Sequence, residues 1–200
     1  MTASYSNGKS APADRHSAGP FDVSEVTDVS PYLDFGSMRV PPREGLQMRL
    51  DVEEGSKRVV AVTLEWNGSS VQLQAFAAPK SEGIWHEIRS AMQQSITTQG
   101  GQAEERIGSL GPELLARIPL MDEAGNAAGF RIARFIGVDG PKWFLRGVVG
   151  GAAINDPMAA ADIDDLFRSV IVARGDIPMP PKDLLPLNMP GGTVAPPRSL

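Results

Sequence analysis

The chain has 200 residues, no cysteine, a formal charge of −5 and a pI near 5.1. Without cysteine there are no thiol nucleophiles, disulfides or cysteine-ligated zinc sites, and the acidic balance excludes a chain-wide polybasic nucleic-acid footprint. The first residues carry no apolar signal segment and no stretch approaches the ~18 consecutive apolar residues of a membrane helix, which predicts a soluble cytoplasmic protein with no membrane partner.

Residues 1–20 are rich in Ser, Ala, Pro, Gly and Asn, with little to bury, which predicts a disordered leader. Residues 21–35 (FDVSEVTDVSPYLDF) are acidic but carry Phe21, Val23, Val26, Val29, Tyr32, Leu33 and Phe35. They are expected to form an extended arm docked on the domain. Over residues 1–35, Lys9 and Arg15 stand against Asp14, Asp22, Glu25, Asp28 and Asp34, so over half the negative excess lies there.

The compact domain is expected over residues 36–175. LQMRLDVE (46–53) and RVVAVTLEW (58–66) alternate as strands. Asn67-Gly68 is a hairpin signal, because both residues accept the positive φ of a type I′ turn. SVQLQAFAA (70–78) returns with Val71, Leu73, Ala75 and Ala77 on one face. A helix follows, with Ser81 as its expected N-cap, Ile84, Trp85, Ile88, Met92 and Ile96 as its stripe, and Gly100 at its end. QAEERIG (102–108) and ELLARIPL (113–120) read as strands. AAGFRIARFIGV (127–138) and PKWFLRGVVG (141–150) read as a hairpin about Asp139-Gly140. Asp156 and Pro157 start a second helix with the stripe Ile163, Leu166, Phe167, Val170 and Ile171, and Gly175 stops it.

This order predicts an α+β domain with a mostly antiparallel sheet, both helices packed on one face, an extended N-terminal arm and a Pro-rich C-terminal tail. A domain of this size can bury about two-thirds of its unfolded surface, enough for a core without metal or disulfide. In the tail, residues 176–190 are expected to dock through Leu184, Leu185 and Leu187, and residues 191–200 to be disordered.

GPFD (19–22), IWHEIR (84–89), GPKWFLRGVVGG (140–151) and PMPPKDLLPL (178–187) resemble segments of an actinobacterial domain-of-unknown-function family, in the same order, across about Gly19–Pro190. The resemblance implies a cytoplasmic bacterial protein and assigns these motifs no chemistry.

The glycine-rich GVVGGAA (147–153) lacks the Lys-Ser/Thr of a phosphate loop and the spacing of a dinucleotide fingerprint. It reads as a strand end turning into a helix. His16 lies in the leader and His86 on a helix flank, and neither has a second histidine nearby in the sequence. No Gly-x-Ser-x-Gly elbow occurs. Glu104-Glu105 and Asp164-Asp165 are sequence neighbours, whose side chains do not face one another on a strand or helix, and Glu53-Glu54 sits in a turn; each pair reads as solvated surface. No catalytic residue, metal ligand or cofactor is assigned.

With the turn at Asp139-Gly140, the hairpin register pairs Ile136 with Trp143, Phe135 with Phe144, and Ala133 with Arg146. Ile132, Ile136, Trp143, Gly147 and Val149 then lie under the helices, and Arg134 among them is either at a bulge or buried and paired. Arg131, Phe135, Phe144, Arg146 and Val148 form the opposite face, away from the helices. Three readings of that face stay open. It is the receptor for the chain's own arm and tail, a surface for a protein partner, or a stacking platform for single-stranded nucleic acid or a nucleotide. A non-enzymatic interaction domain is the expectation, with that nucleic-acid or nucleotide binder as first alternative and an enzyme using unidentified carboxylates as second. Oligomeric state is left open.

Overall fold

The structure is a computed structural model that describes residues 8–27 and 31–190. A four-residue helix, α1 (Arg15–Ala18), leads into short strands β1 (Phe21–Asp22), β2 (Leu33–Asp34) and β3 (Met38–Val40). Next come β4 (Gln47–Val52), β5 (Val59–Trp66), β6 (Ser69–Ala77) and helix α2 (Trp85–Thr98). β7 (Gln102–Gly108), β8 (Gly111–Met121), β9 (Ala127–Gly140), β10 (Trp143–Gly151), helix α3 (Pro157–Arg168) and β11 (Ile171–Val172) complete the chain order. The class is α+β. Strands β4 to β10 form an antiparallel sheet in the order β4-β5-β6-β10-β9-β8-β7, and the four short strands form a second sheet, β1-β11-β3-β2.

Local chemistry accounts for most of these elements. Asn67 and Gly68 adopt φ of 49° and 78° between β5 and β6, the left-handed region that glycine enters without a Cβ clash and asparagine tolerates better than most residues. Asp156 accepts hydrogen bonds from the Met158 and Ala159 amides and, with Pro157, starts α3. The β9–β10 turn differs from expectation. It falls at Pro141-Lys142, with Gly140 opposite Trp143 and Phe144 opposite Asp139. Proline presets the first corner, and Lys142 takes the positive φ of 56° at the second. Gly140 serves packing instead: a Cβ there would lie 2.3 Å from the Trp143 ring. The turn moves by two residues, so the faces keep their members.

The large sheet buries both faces. On one, Val62, Leu64, Leu73, Ile136 and Leu145 pack with α3 residues Ile163, Leu166 and Phe167 and with Phe35 and Met38 of the small-sheet region. On the other, Leu114, Ala116, Ala133, Phe135 and Phe144 pack under Trp85 and Ile96 of α2. The two helices therefore clasp opposite faces rather than sharing one. Leu114, Phe135 and Phe144 make the second face apolar along β8, β9 and β10, and α2 is the element that covers it.

The leader is not a loose segment over its described part. The Lys9 ammonium donates to the Pro79 and Gly140 carbonyls at 2.9 and 2.6 Å. Ser10 donates its amide to Asp139 Oδ2, and its carbonyl accepts the Asp139 amide. Arg15 is buried, pairs with Glu25 at 2.7 Å and lies 5.8 Å over the Trp143 ring. These anchors are polar and charged, so a count of apolar residues does not register them. Residues 1–7, 28–30 and 191–200, where parts of the leader, the arm and the chain end fall, lie outside the described residues.

The tail adds to β6. Register pairing of β5 with β6 runs from Trp66↔Ser69 to Val62↔Leu73, and beyond Leu73 the tail takes the neighbouring place. The Lys182 and Leu185 amides donate to the Ala77 and Ala75 carbonyls, and the Ala77 amide donates to the Asp183 carbonyl, at 2.8–2.9 Å. Leu185 and Leu187 are buried in the α3-side core, while Leu184 is half-buried and bridges to Phe76 through the backbone. The receptor is thus the edge of β6 and the core beside it, not the Phe135/Phe144 face. Backbone groups left free where β5 diverges decide the place.

Candidate functional site

The sheet face opposite α3 is divided. Its β7–β10 side lies beneath α2, where Trp85 stacks on Phe144 with centroids 5.3 Å apart. Phe135 and Phe144 are 8% and 0% exposed, so they offer no platform for a base or a partner. Arg131, Phe135, Phe144 and Arg146 do share this face, but only Arg131 is exposed. The start of α2 also departs from expectation. Ser81 is not the cap; the Ile84 amide donates at 3.0 Å to Oδ1 of Asp139, which stands on the sheet face that α2 covers. Burial pushes the Asp139 carboxyl above its usual value, against the pull of the Ser10, Ile84 and Trp85 amides and the Lys9 charge.

The β4–β6 side of the same face is open and polar. Alternation on β6 sends Gln72 and Gln74 here, opposite the buried Val71, Leu73, Ala75 and Ala77. Register sets Gln72 beside Thr63 and Val148, and Gln74 beside Arg146. Asp51 accepts from Thr63 Oγ1 at 2.5 Å, Gln72 Nε2 at 3.1 Å and Arg49 Nε at 3.2 Å. Burial pushes its carboxyl up, but these donors outweigh it and hold the group below the usual aspartate value. A cavity of about 360 Å³ opens along this side, lined by Arg49, Thr63, Gln72, Arg131 and Val148 among others.

Arg146 stands two residues along β10 from Val148, which lines that cavity, and on the same sheet face. Its guanidinium lies 5.2 Å over the Phe76 ring and donates to Gln74 Oε1. Its Nε is buried without an acceptor. Among the described residues no carboxylate pairs with it, and burial alone lowers its pKa. The site residues that sequence reasoning missed are Arg49, Asp51, Thr63, Gln72 and Gln74. For Gln72 and Gln74 the signal was the strand alternation around Val71 and Leu73, which sends the intervening glutamines to the opposite face.

Arg134 on the α3-side face is the contrasting case. It is buried and paired, not at a bulge. Its guanidinium donates to Glu113 at 2.8–3.0 Å and to Asp164 at 2.7–3.0 Å, with Arg134 and Glu113 side chains 4% and 3% exposed. Burial works against the charge, and the two carboxylates outweigh it, so its pKa is raised. Of the other carboxylates paired in sequence, Asp165 pairs with Arg43 and Glu105 with Arg89. His16 is exposed beside Glu25, and His86 is exposed with Arg89 3.5 Å away. Among the described residues no group of three His, Asp or Glu side chains could hold a metal ion, and no helix is long and apolar enough to cross a membrane.

The protein family described as "Protein of unknown function (DUF3710)" matches residues 19–195. The chain belongs to that family. The DUF3710 match takes in both sheets, all of α2 and α3 and the docked tail, and begins just after α1. The chain is also similar to the solution structure of the cyanobacterial PsbP protein CyanoP from Synechocystis, at 12% identity over 73% of this chain and 95% of that one, with a TM-score of 0.43. No curated protein matches it.

Proposed function

We propose that this domain is a binding module, and that the open polar side of its large sheet takes an anionic ligand such as a carboxylate or a phosphate ester. Arg146 is the observation that carries the reading. A desolvated guanidinium with an orphaned N–H and no counter-ion among the described residues is costly unless something supplies charge and acceptors. Arg49 and Arg131 flank the adjoining cavity, and Thr63, Gln72 and Ser70 add neutral polar groups. Bidentate recognition of carboxylate or phosphate is the chemistry a guanidinium does best. The reading is of binding rather than catalysis, because Asp139, the one described carboxylate whose pKa is raised, has both oxygens engaged by backbone amides. A cytoplasmic setting belongs to the reading, supported by a chain that needs no disulfide.

Titration calorimetry with inorganic phosphate and with succinate tests it. Saturable binding that weakens with added salt is expected for at least one of the two. Arg146→Gln, checked for an unchanged circular dichroism spectrum, should abolish it. No binding by the unaltered chain, or undiminished binding by Arg146→Gln, overturns the reading.

A further inference from the structure

β8 and β9 run on past the sheet that holds them. β7 pairs with β8 only as far as Arg117, opposite Gln102. β10 pairs with β9 only from Arg134 onward, opposite Val149. Beyond those rungs the two strands pair with each other through Ile118↔Arg131, Pro119↔Phe130 and Met121↔Ala127. Every residue from Leu120 to Ile132 is exposed. A two-stranded ribbon is at best marginally stable alone in water. This one also exposes Leu120, Met121, Phe130 and Ile132, with Met121 61% and Phe130 50% exposed. Such a concentration of apolar side chains on a projecting ribbon marks a contact surface.

We propose that this arm is the contact between two copies of the chain, packed side by side in opposite directions about a two-fold axis. The charge order along the arm favours a second copy over another partner. On the face that carries Phe130 and Ile132, Arg117 stands at the base, the apolar residues in the middle, and Asp122 and Glu123 at the tip, while Arg131 lies on the opposite face. A partner of one charge sign is attracted at one end and repelled at the other. A second copy, laid antiparallel, sets the acidic tip of each arm against the basic base of the other, the self-complementarity that an isologous interface requires. Contact is through side chains rather than strand edges. Pro119 removes a backbone donor, and the register shift between Pro119 and Met121, with Gly129 at φ 100°, breaks the ladder. Arg117 already lies 3.8 Å over its own Phe130 ring, so the base of the arm presents cation and aromatic together. An arm of this length covers less than the ~800 Å² per partner of a standard interface, so the dimer forms reversibly at high concentration.

Sedimentation of the full chain between about 10 µM and 1 mM, the range of weak complexes, reads this directly. The average mass is expected to rise from 21.3 kDa toward twice that value. Met121→Ser with Phe130→Ser should hold it at one chain; both positions are exposed, so an unchanged melting curve is expected as the control for folding. Arg117→Glu should weaken association, and adding Glu123→Arg in the same chain should restore it. A chain that stays at one copy throughout, association indifferent to the Met121/Phe130 change, or a double charge exchange that fails to recover overturns the proposal.

Discussion

Asp139 ties two segments to β9 with its two carboxylate oxygens: the leader through the Ser10 amide and α2 through the Ile84 amide. Its raised pKa means that the folded chain binds this proton more tightly than the unfolded chain. The stability tied to Asp139 is then fully present below the ordinary aspartate value of 3.8 and falls as pH rises through the window between that value and the raised one. Asp139→Asn removes that slope. The stability of the unaltered chain minus that of the variant, from denaturant unfolding, should decline with rising pH just above 3.8; an increase there would mean that the amides, not burial, govern the group. Arg134 makes a different case. Arg134→Met leaves Glu113 and Asp164 buried without their shared cation, and breaking a buried ion pair from one side costs about 3–5 kcal/mol. A measured loss below about 1 kcal/mol would show that Arg106, already 2.7 Å from Glu113, takes over the charge.

At the scale of elements, what the sequence made legible was what local chemistry decides. The β5–β6 hairpin follows from alternation and Asn67-Gly68, and α3 follows from Asp156-Pro157 and its stripe. What it hid depends on partners distant in sequence. The α2 cap comes from Asp139, 55 positions on, and the side on which each helix packs depends on two apolar faces of one sheet. The polar site was half legible: Arg131 and Arg146 share the face read from alternation, but nothing in the hairpin shows that α2 seals Phe135 and Phe144 and leaves the β4–β6 side open. The described part of the leader, residues 8–20, is held by polar and ionic contacts that apolar patterning does not register. Deleting residues 1–18 removes Lys9, Ser10 and the buried Arg15 together. The melting temperature should fall by at least the ~2–4 °C that 1 kcal/mol represents in a chain of this size; an unchanged value would mean these contacts contribute nothing net. Leu185→Ala opens a cavity in the α3-side core and should cost about 2–5 kcal/mol, against little change for a substitution at exposed Pro186.

Across the whole molecule, the leader and the tail, which are far apart in sequence, converge on one rung of the large sheet. That rung pairs Ala77 of β6 with Trp143 of β10. The leader side reaches Trp143: Arg15 lies over its ring, and Asp22 accepts its indole N–H at 2.8 Å. The tail reaches Ala77, whose amide and carbonyl bond to Asp183 and Lys182. Trp143 and the tail residues Leu185 and Leu187 belong to the same buried cluster, so the two terminal segments share one packing environment. Sites that share a partner are where additivity fails, typically by 0.5–3 kcal/mol. Arg15→Ala and Leu185→Ala should therefore couple. Each alone should destabilise the chain, and together they should cost less than their sum by at least about 0.5 kcal/mol, because loosening either segment relaxes the Ala77–Trp143 rung that the other grips. Denaturant unfolding of the four chains in the cycle measures this. Strict additivity would mean that the two termini are independent clamps and that the rung is rigid enough to hold without either.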